Sequence, residues 1–225
     1  MLAKARTCAV MGLEGFVVEV EVDISPGLPA FYIVGLPDTA VQEARERVRA
    51  AIRNSDCEYP MRRITANLAP ADLRKAGPSY DLPLAVALLC ASGQVHGVPD
   101  STLFLGELSL NGDVRHTTGI LPMVGVAKDA GFETVFVPAD DGAEASLIEG
   151  IRVMAVRTLS ELIEHLRDQR VLEPVVADTS VFELDRAQSE PDLSSIRGQE
   201  HAKRAMEVAA AGAHNLVMNG PPGAG

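Results

Sequence analysis

FVVEVEVDI, residues 16–24, alternates strictly: Phe16, Val18, Val20, Val22 and Ile24 fall on one side, and Glu19, Glu21 and Asp23 on the other. A period of two with one apolar and one acidic face is that of a β-strand lying between a core and water. A Pro-Gly-Leu-Pro turn follows at 26–29, then a second apolar strand near 31–34. Asp38 is placed to cap a helix whose apolar positions Val41, Ala44, Val48, Ala51 and Ile52 recur at helical spacing, with Glu43, Arg45, Glu46, Arg47 and Arg49 around the rest. Two strands followed by an amphipathic helix predict an α/β layer.

The same reading carries on along the chain. Residues 62–68 alternate as a strand, and 82–91 are apolar enough for a core helix. LSLNGDV, residues 108–114, sets Asn111-Gly112 between two short apolar runs, a hairpin signal because both residue types tolerate positive φ. A helix over 122–130, strands at 134–138 and 152–156 and a helix over 160–166 complete a domain expected to end near Arg167. From 168 to 191 prolines and polar residues interrupt the apolar ones and acidic residues outnumber basic ones, the texture of a tether, although Val175, Val176, Val181 and Phe182 could dock locally. Residues 198–211 then read as a helix and 215–218 as a short buried strand.

Bulk properties narrow the function. The chain has 225 residues, 47% of them hydrophobic and 23% charged, which is globular material for one good core plus a piece of another domain. No apolar run approaches the ~18 residues of a membrane span, and the start, MLAKARTCAVMG, lacks a secretory signal's apolar stretch, so a soluble cytoplasmic protein is expected. Cys8, Cys57 and Cys90 are far apart, with no C-x-x-C spacing and no histidine pair beside them; they read as small buried residues and not as metal ligands. The net charge of −11 argues against a nucleic-acid-binding surface on this portion by itself.

The strand expected at 215–218 runs directly into Gly220-Pro221-Pro222-Gly223-Ala224-Gly225. Against the phosphate-loop pattern G-x-x-x-x-G-K-[ST], these residues supply both framing glycines and every position between them, but neither the lysine nor the hydroxyl residue. In a complete loop the backbone amides turn inward around the phosphates, the lysine reaches the outer ones and the hydroxyl residue holds magnesium. Together with Ile196, Gly198 and Gln199 upstream, the stretch resembles the start of an AAA+ ATPase domain, in which an I-x-G-Q segment approaches the adenine. A truncated start of this kind is not expected to turn over ATP by itself.

A second constellation lies between a predicted strand and a predicted helix. KAGPSYDLP, residues 75–83, resembles the nucleophile segment of the Lon protease domain, with the catalytic serine falling on Ser79. Residues 106–138 follow the Lon pattern too, but Leu121 stands where the resemblance calls for the lysine base. A serine needs an adjacent base to become a nucleophile. Lys75 and Lys128, the nearest alternatives, do not obviously replace it, and His96 and His116 read as surface or loop residues. The favoured role for Ser79 is therefore to cap the helix beginning near Asp81.

Across nearly the whole chain, VDISPGLPAFYIVGLPDTAVQEARERVRAAI (22–52), ITANLAPADLRKAGPSYDLPLAVALL (64–89), GELSLNGDVR (106–115) and the segment 192–225 resemble the ComM/YifB family of magnesium-chelatase-like AAA+ ATPases. That resemblance implies an α/β (α+β) fold: a Lon-protease-like, ribosomal-protein domain-2-like amino-terminal domain at 1–167, a linker at 168–191 and the start of an AAA+ domain at 192–225. It also implies a hexamer that uses ATP and magnesium to move on DNA, extending branched recombination intermediates during natural transformation. A Lon-type serine peptidase using Ser79 is the alternative. A magnesium chelatase subunit is a weaker one, disfavoured by the Lon-like leader.

Overall fold

The computed structural model describes residues 1–11, 14–96, 98–177 and 193–221. The chain divides into two compact units, Met1–Asp178 and Thr179–Gly225.

The first unit is mixed α/β, as the sequence predicts. The alternating stretch lies within β2 (Glu14–Ser25), which pairs antiparallel with β1 (Leu2–Met11) and with β4 (Arg63–Ala69), while β3 (Ala30–Val34) joins β4 in parallel to give the order β1-β2-β4-β3. The crossover between β3 and β4 is α1 (Thr39–Asn54), capped by Asp38, whose carboxylate accepts the Val41 amide at 2.8 Å. Val41, Ala44, Val48, Ala51 and Ile52 are all buried, together with Val18, Val20, Val22 and Ile24 of β2. Two α1 side chains cover the outer edge of β3, Gln42 donating to the Ile33 carbonyl (3.5 Å) and Arg45 to that of Phe31 (3.4 Å), which blunts an otherwise open strand edge.

α2 (Asp81–Ala91) is buried on every side except at Cys90, so it packs as the central helix against β1, β2 and α1. A three-stranded parallel sheet, β5 (Thr102–Phe104), β8 (Thr134–Pro138) and β9 (Arg152–Val156) in the order β5-β8-β9, carries the second half of the unit. α3 (Ile120–Asp129), α4 (Gly142–Ala145) and α5 (Leu159–Leu166) accompany it. Ile120, Met123, Val124 and Ala127 of α3 form a second core with Cys8, Leu103, Leu105, Val135 and Val153, so β1 is covered on both faces at Thr7 and Cys8. The hairpin pairs β6 (Glu107–Leu108) with β7 (Val114–Arg115). Of Asn111 and Gly112 only the glycine takes positive φ (+93°), because Ser109 also pairs with Asp113 (N–H to carbonyl, 2.9 Å) and leaves a three-residue turn.

Beyond Arg167 the chain stays on this unit for some distance. Leu172 is buried with its amide donating to His165 Nδ1 (3.2 Å), and Val175 docks through its amide on the Val153 carbonyl (2.8 Å), whereas Val176 is exposed; Val181 and Phe182 lie outside the described residues. Cys8 and Cys57 are buried and Cys90 is half-buried, all three as free thiols. Among the described residues no helix is long and apolar enough to cross a membrane.

In the second unit the expected helix forms as α6 (Glu200–Ala211), entered through Gly198 and Gln199 at positive φ (+74° and +57°). The strand expected at 215–218 does not form. A strand exists through its partners, the described residues of this unit supply none, and Leu216, Val217 and Met218 are exposed.

One buried ion pair holds three elements of the first unit together. Asp81, with no exposed side-chain surface, accepts two bonds from the Arg47 guanidinium (2.6 and 3.0 Å) and one from the Leu108 amide (3.2 Å). Burial pushes its carboxyl up to about 6, against the opposing pull of Arg47 and Leu108. Removing one partner of such a pair strands the other, so Arg47→Met should cost about 3–5 kcal/mol in urea unfolding. Without the guanidinium the folded-state pKa of Asp81 rises further above the unfolded 3.8, the folded state then holds the extra proton, and stability falls as pH rises through that window. The loss should accordingly be larger at pH 8 than at pH 5; a pH-independent loss would show that the pair is not the origin.

Candidate functional site

Ser79 sits in a 3-10 turn, Pro78–Tyr80, that runs straight into α2. This corrects the expected cap: the N-cap is Tyr80, in a helical conformation, and no side chain caps α2. The preceding turn extends the helix backwards, so the serine hydroxyl no longer lies where it could accept the amides of the first turn. The backbone is served differently, with the Leu82 amide donating to the Gly106 carbonyl (3.1 Å). The loop before Ser79 is tied to the α1 cap: Asp38 also accepts the Gly77 amide (3.2 Å), the Asp38 amide donates to the Lys75 carbonyl (2.9 Å) and the Lys75 amide to the Leu36 carbonyl (3.1 Å).

Ser79 is only 7% exposed, and it lines an open cleft of about 480 Å³ with Glu107, His116, Thr117, Thr118 and Gly119. Its hydroxyl meets no hydrogen-bond partner among the described residues. Ala9, Val10, Pro122 and Met123 form the apolar wall. The sequence reading missed the group opposite: the His116 imidazole is bound through Nδ1 to the buried carboxylate of Asp141, which also accepts the Thr117 amide (2.8 Å). The hydrogen bond to Asp141 raises the His116 pKa above 6.5, with the nearby charges of Glu144 and Asp140 acting in the same direction. The two residues are twenty-five apart in sequence and come together because the turn after β8 returns beside the loop before α3. No local spacing rule would have paired them.

The lysines behave differently. Lys75 is buried, with its ammonium donating to the Pro70 carbonyl, and burial lowers its pKa. Lys128 lies in the last turn of α3, lining a different hollow with Gly131, Phe132 and Gly150. Leu121 is half-buried in the first turn of α3 and is not among the residues lining the cleft, although Gly119, Pro122 and Met123 beside it are. Among the described residues Ser79 thus makes no hydrogen bond to a base, whereas an assembled nucleophile and base lie about 2.6–3.2 Å apart.

Of the nucleotide-site residues expected from sequence, Ile196, Gly198, Gln199, Gly220 and Pro221 are described and exposed, and Pro222, Gly223, Ala224 and Gly225 lie outside the described residues. Pro221 has no amide to offer a phosphate, and among the described residues no group of His, Cys, Asp or Glu side chains is gathered to hold a metal ion.

Comparison with known proteins places this arrangement in a family. The family model described as subunit ChlI of Mg-chelatase matches residues 20–141, and a second, described as magnesium chelatase, subunit ChlI, matches 192–225. Along its whole length the chain is 48% identical to an uncharacterized protein of Mycobacterium tuberculosis, 43% identical to the uncharacterized protein YifB of Escherichia coli and 39% identical to the competence protein ComM of Haemophilus influenzae. The chain spans 44% of the length of each of these relatives. Over 100 residues, 43% of this chain and 18% of the other, it is 32% identical to Lon protease 2 of Bacillus subtilis, in keeping with the Lon-like fold of the first unit. The chain belongs to the ComM/YifB family of magnesium-chelatase-like proteins.

The His116–Asp141 pair is directly testable. NMR titration should place the His116 pKa above 6.5, and Asp141→Asn should bring it back toward that value. The contribution of the pair to stability is fully present below pH 6.5 and is lost as pH rises through the elevated folded-state value. An unchanged His116 titration in Asp141→Asn would exclude the pairing.

Proposed function

We propose that this chain is the amino-terminal portion of an ATP-dependent AAA+ DNA motor that extends branched recombination intermediates, as a ComM-like protein of natural transformation. The observation that carries this reading is the identity to the competence protein ComM along the entire chain. The division proposed is a Lon-like domain at 1–167, a linker at 168–191 and the opening of the ATPase domain at 192–225, where the second family match falls. In the whole protein, ATP and magnesium would be held by a loop that includes residues 220–225, with Ile196, Gly198 and Gln199 toward the adenine, in a cytoplasmic homo-hexamer on DNA. The whole protein should extend a joint molecule made from a single strand and a homologous duplex only when ATP and magnesium are present. Extension indifferent to ATP would overturn the motor reading.

Within that motor the Lon-like domain acts without peptidase chemistry. Supporting this are Leu121 at the lysine position and a Ser79 hydroxyl hydrogen-bonded to no base. A second reading, a serine hydrolase, draws on one observation, that His116 with its buried Asp141 shares the cleft with Ser79. A fluorophosphonate probe separates the two. It should label neither the parent nor Ser79→Ala, and both should cleave peptides at the same background rate, because an unassisted hydroxyl stays protonated at neutral pH. Stoichiometric labelling of the parent alone would assign the domain to the second reading, with His116 as base. Leu121→Lys provides the converse, since labelling gained there would show that only the base is missing.

A further inference from the structure

We infer that the cleft between Ser79 and the amino end of α3 is a binding site for the oxyanion group, carboxylate or phosphate, of a small ligand with an apolar body. The inference stands on the cleft alone and does not depend on the motor reading.

Three independent features converge there. The first is a set of unused donors: the backbone amides of Thr118 and Gly119 donate to no group among the described residues, and they precede a ten-residue helix whose aligned peptide dipoles favour negative charge at that end. Gly119 takes φ +82° at the N-cap, and Thr117 just before it is fixed by its own amide on Asp141. The second is Ser79, a residue more than nine-tenths buried that lines the cleft and whose hydroxyl has no hydrogen-bond partner among the described residues. That hydroxyl is free to bond a ligand oxygen entering the cleft. The third is His116, whose Nδ1 is occupied by Asp141, so that Nε2 is the nitrogen left to donate to a ligand.

Charge in and around the cleft favours a compact anion over a polyanion. The groups acting on His116 are Asp140, Asp141 and Glu144 on the segment packed beside it, with Arg115 preceding it in the chain. These carboxylates keep the imidazole protonated to higher pH and would repel an extended chain of phosphates. Glu107, the carboxylate lining the cleft, has Arg115 as its counter-ion (3.8 Å). Ala9, Val10, Pro122 and Met123 supply a wall for the ligand's apolar part.

The test uses the 225-residue chain with three probes: inorganic phosphate, N-acetyl-leucine and the neutral N-acetyl-leucinamide. Either anion should shift the NMR amide resonances of Thr118 and Gly119, and the neutral amide should not; the tighter anion identifies the source of the oxyanion. N-acetyl-leucine, ionised throughout, should bind more tightly at pH 6 than at pH 9. His116→Ala should weaken binding of the preferred anion roughly tenfold or more, and Ser79→Ala roughly threefold to tenfold, the ranges for charged and neutral hydrogen bonds. Ser79→Ala changes a side chain outside the two cores and should keep the parent's thermal unfolding; His116→Ala also removes the pair with Asp141 and should unfold at a lower temperature, so its binding is measured where thermal unfolding shows it folded. The inference is overturned if neither anion moves those amides, if the neutral amide binds as well as the anions, or if folded His116→Ala binds as the parent does.

Discussion

The Asp81 carboxylate is the point on which the first unit turns. It is fully buried at the start of α2, receives the Arg47 guanidinium in two hydrogen bonds and holds the Leu108 amide, joining α1, the central helix and the β6–β7 hairpin. A planar guanidinium suits this role because it can make two parallel bonds and still reach a backbone carbonyl, which Arg47 does at Ala40 (2.9 Å). The pair does not drive folding; the apolar residues around it do. The central helix is apolar on nearly all sides, and this carboxylate ties its first turn to α1 and to the hairpin. Ser79, two residues before it, inherits that position.

A different carboxylate organises the far side of the cleft. Asp141 is buried beside α3 and takes both the His116 imidazole and the Thr117 amide, so the loop entering α3 is set by one side chain from the opposite strand end. The cleft is therefore bounded by two loops, each tied down by an aspartate: the half-buried Asp38, which holds the Gly77 amide before Ser79, and the buried Asp141. Lys75, which lies close to Ser79 in sequence, is diverted onto the Pro70 carbonyl and supports the loop instead of facing the cleft.

The solvent face of the four-stranded sheet is closed electrostatically. Lys4 lies between Glu19 (2.7 Å) and Glu21 (2.9 Å), Arg6 reaches Glu19 (3.1 Å), and Asn67 donates to Glu21 (2.8 Å). Exposed pairs of this sort contribute little to stability. They do remove the basic surface that phosphate binding would need, in agreement with the net charge of −11.

Periodicity by itself determined most of the elements, because a helix or strand buried on one face must write that face into its sequence: the five buried positions of α1 and the alternation of β2 were legible before any coordinates. The first strand was not. LAKARTCAVM buries small residues among charged ones, a pattern too weak to announce a strand, and it is made one by ten residues of pairing with β2 and by Lys4 and Arg6 facing its glutamates. The strand expected at 215–218 shows the reverse, an apolar run with no partner to pair with among the described residues. The serine segment could be found from its residues, but its role as a cap could not, since that depended on whether a 3-10 turn lengthened the helix. His116 and Asp141 lay beyond any sequence rule. Their contact is between segments brought together only when the parallel sheet closes, and long-range contacts of that kind are decided by packing rather than by local preference.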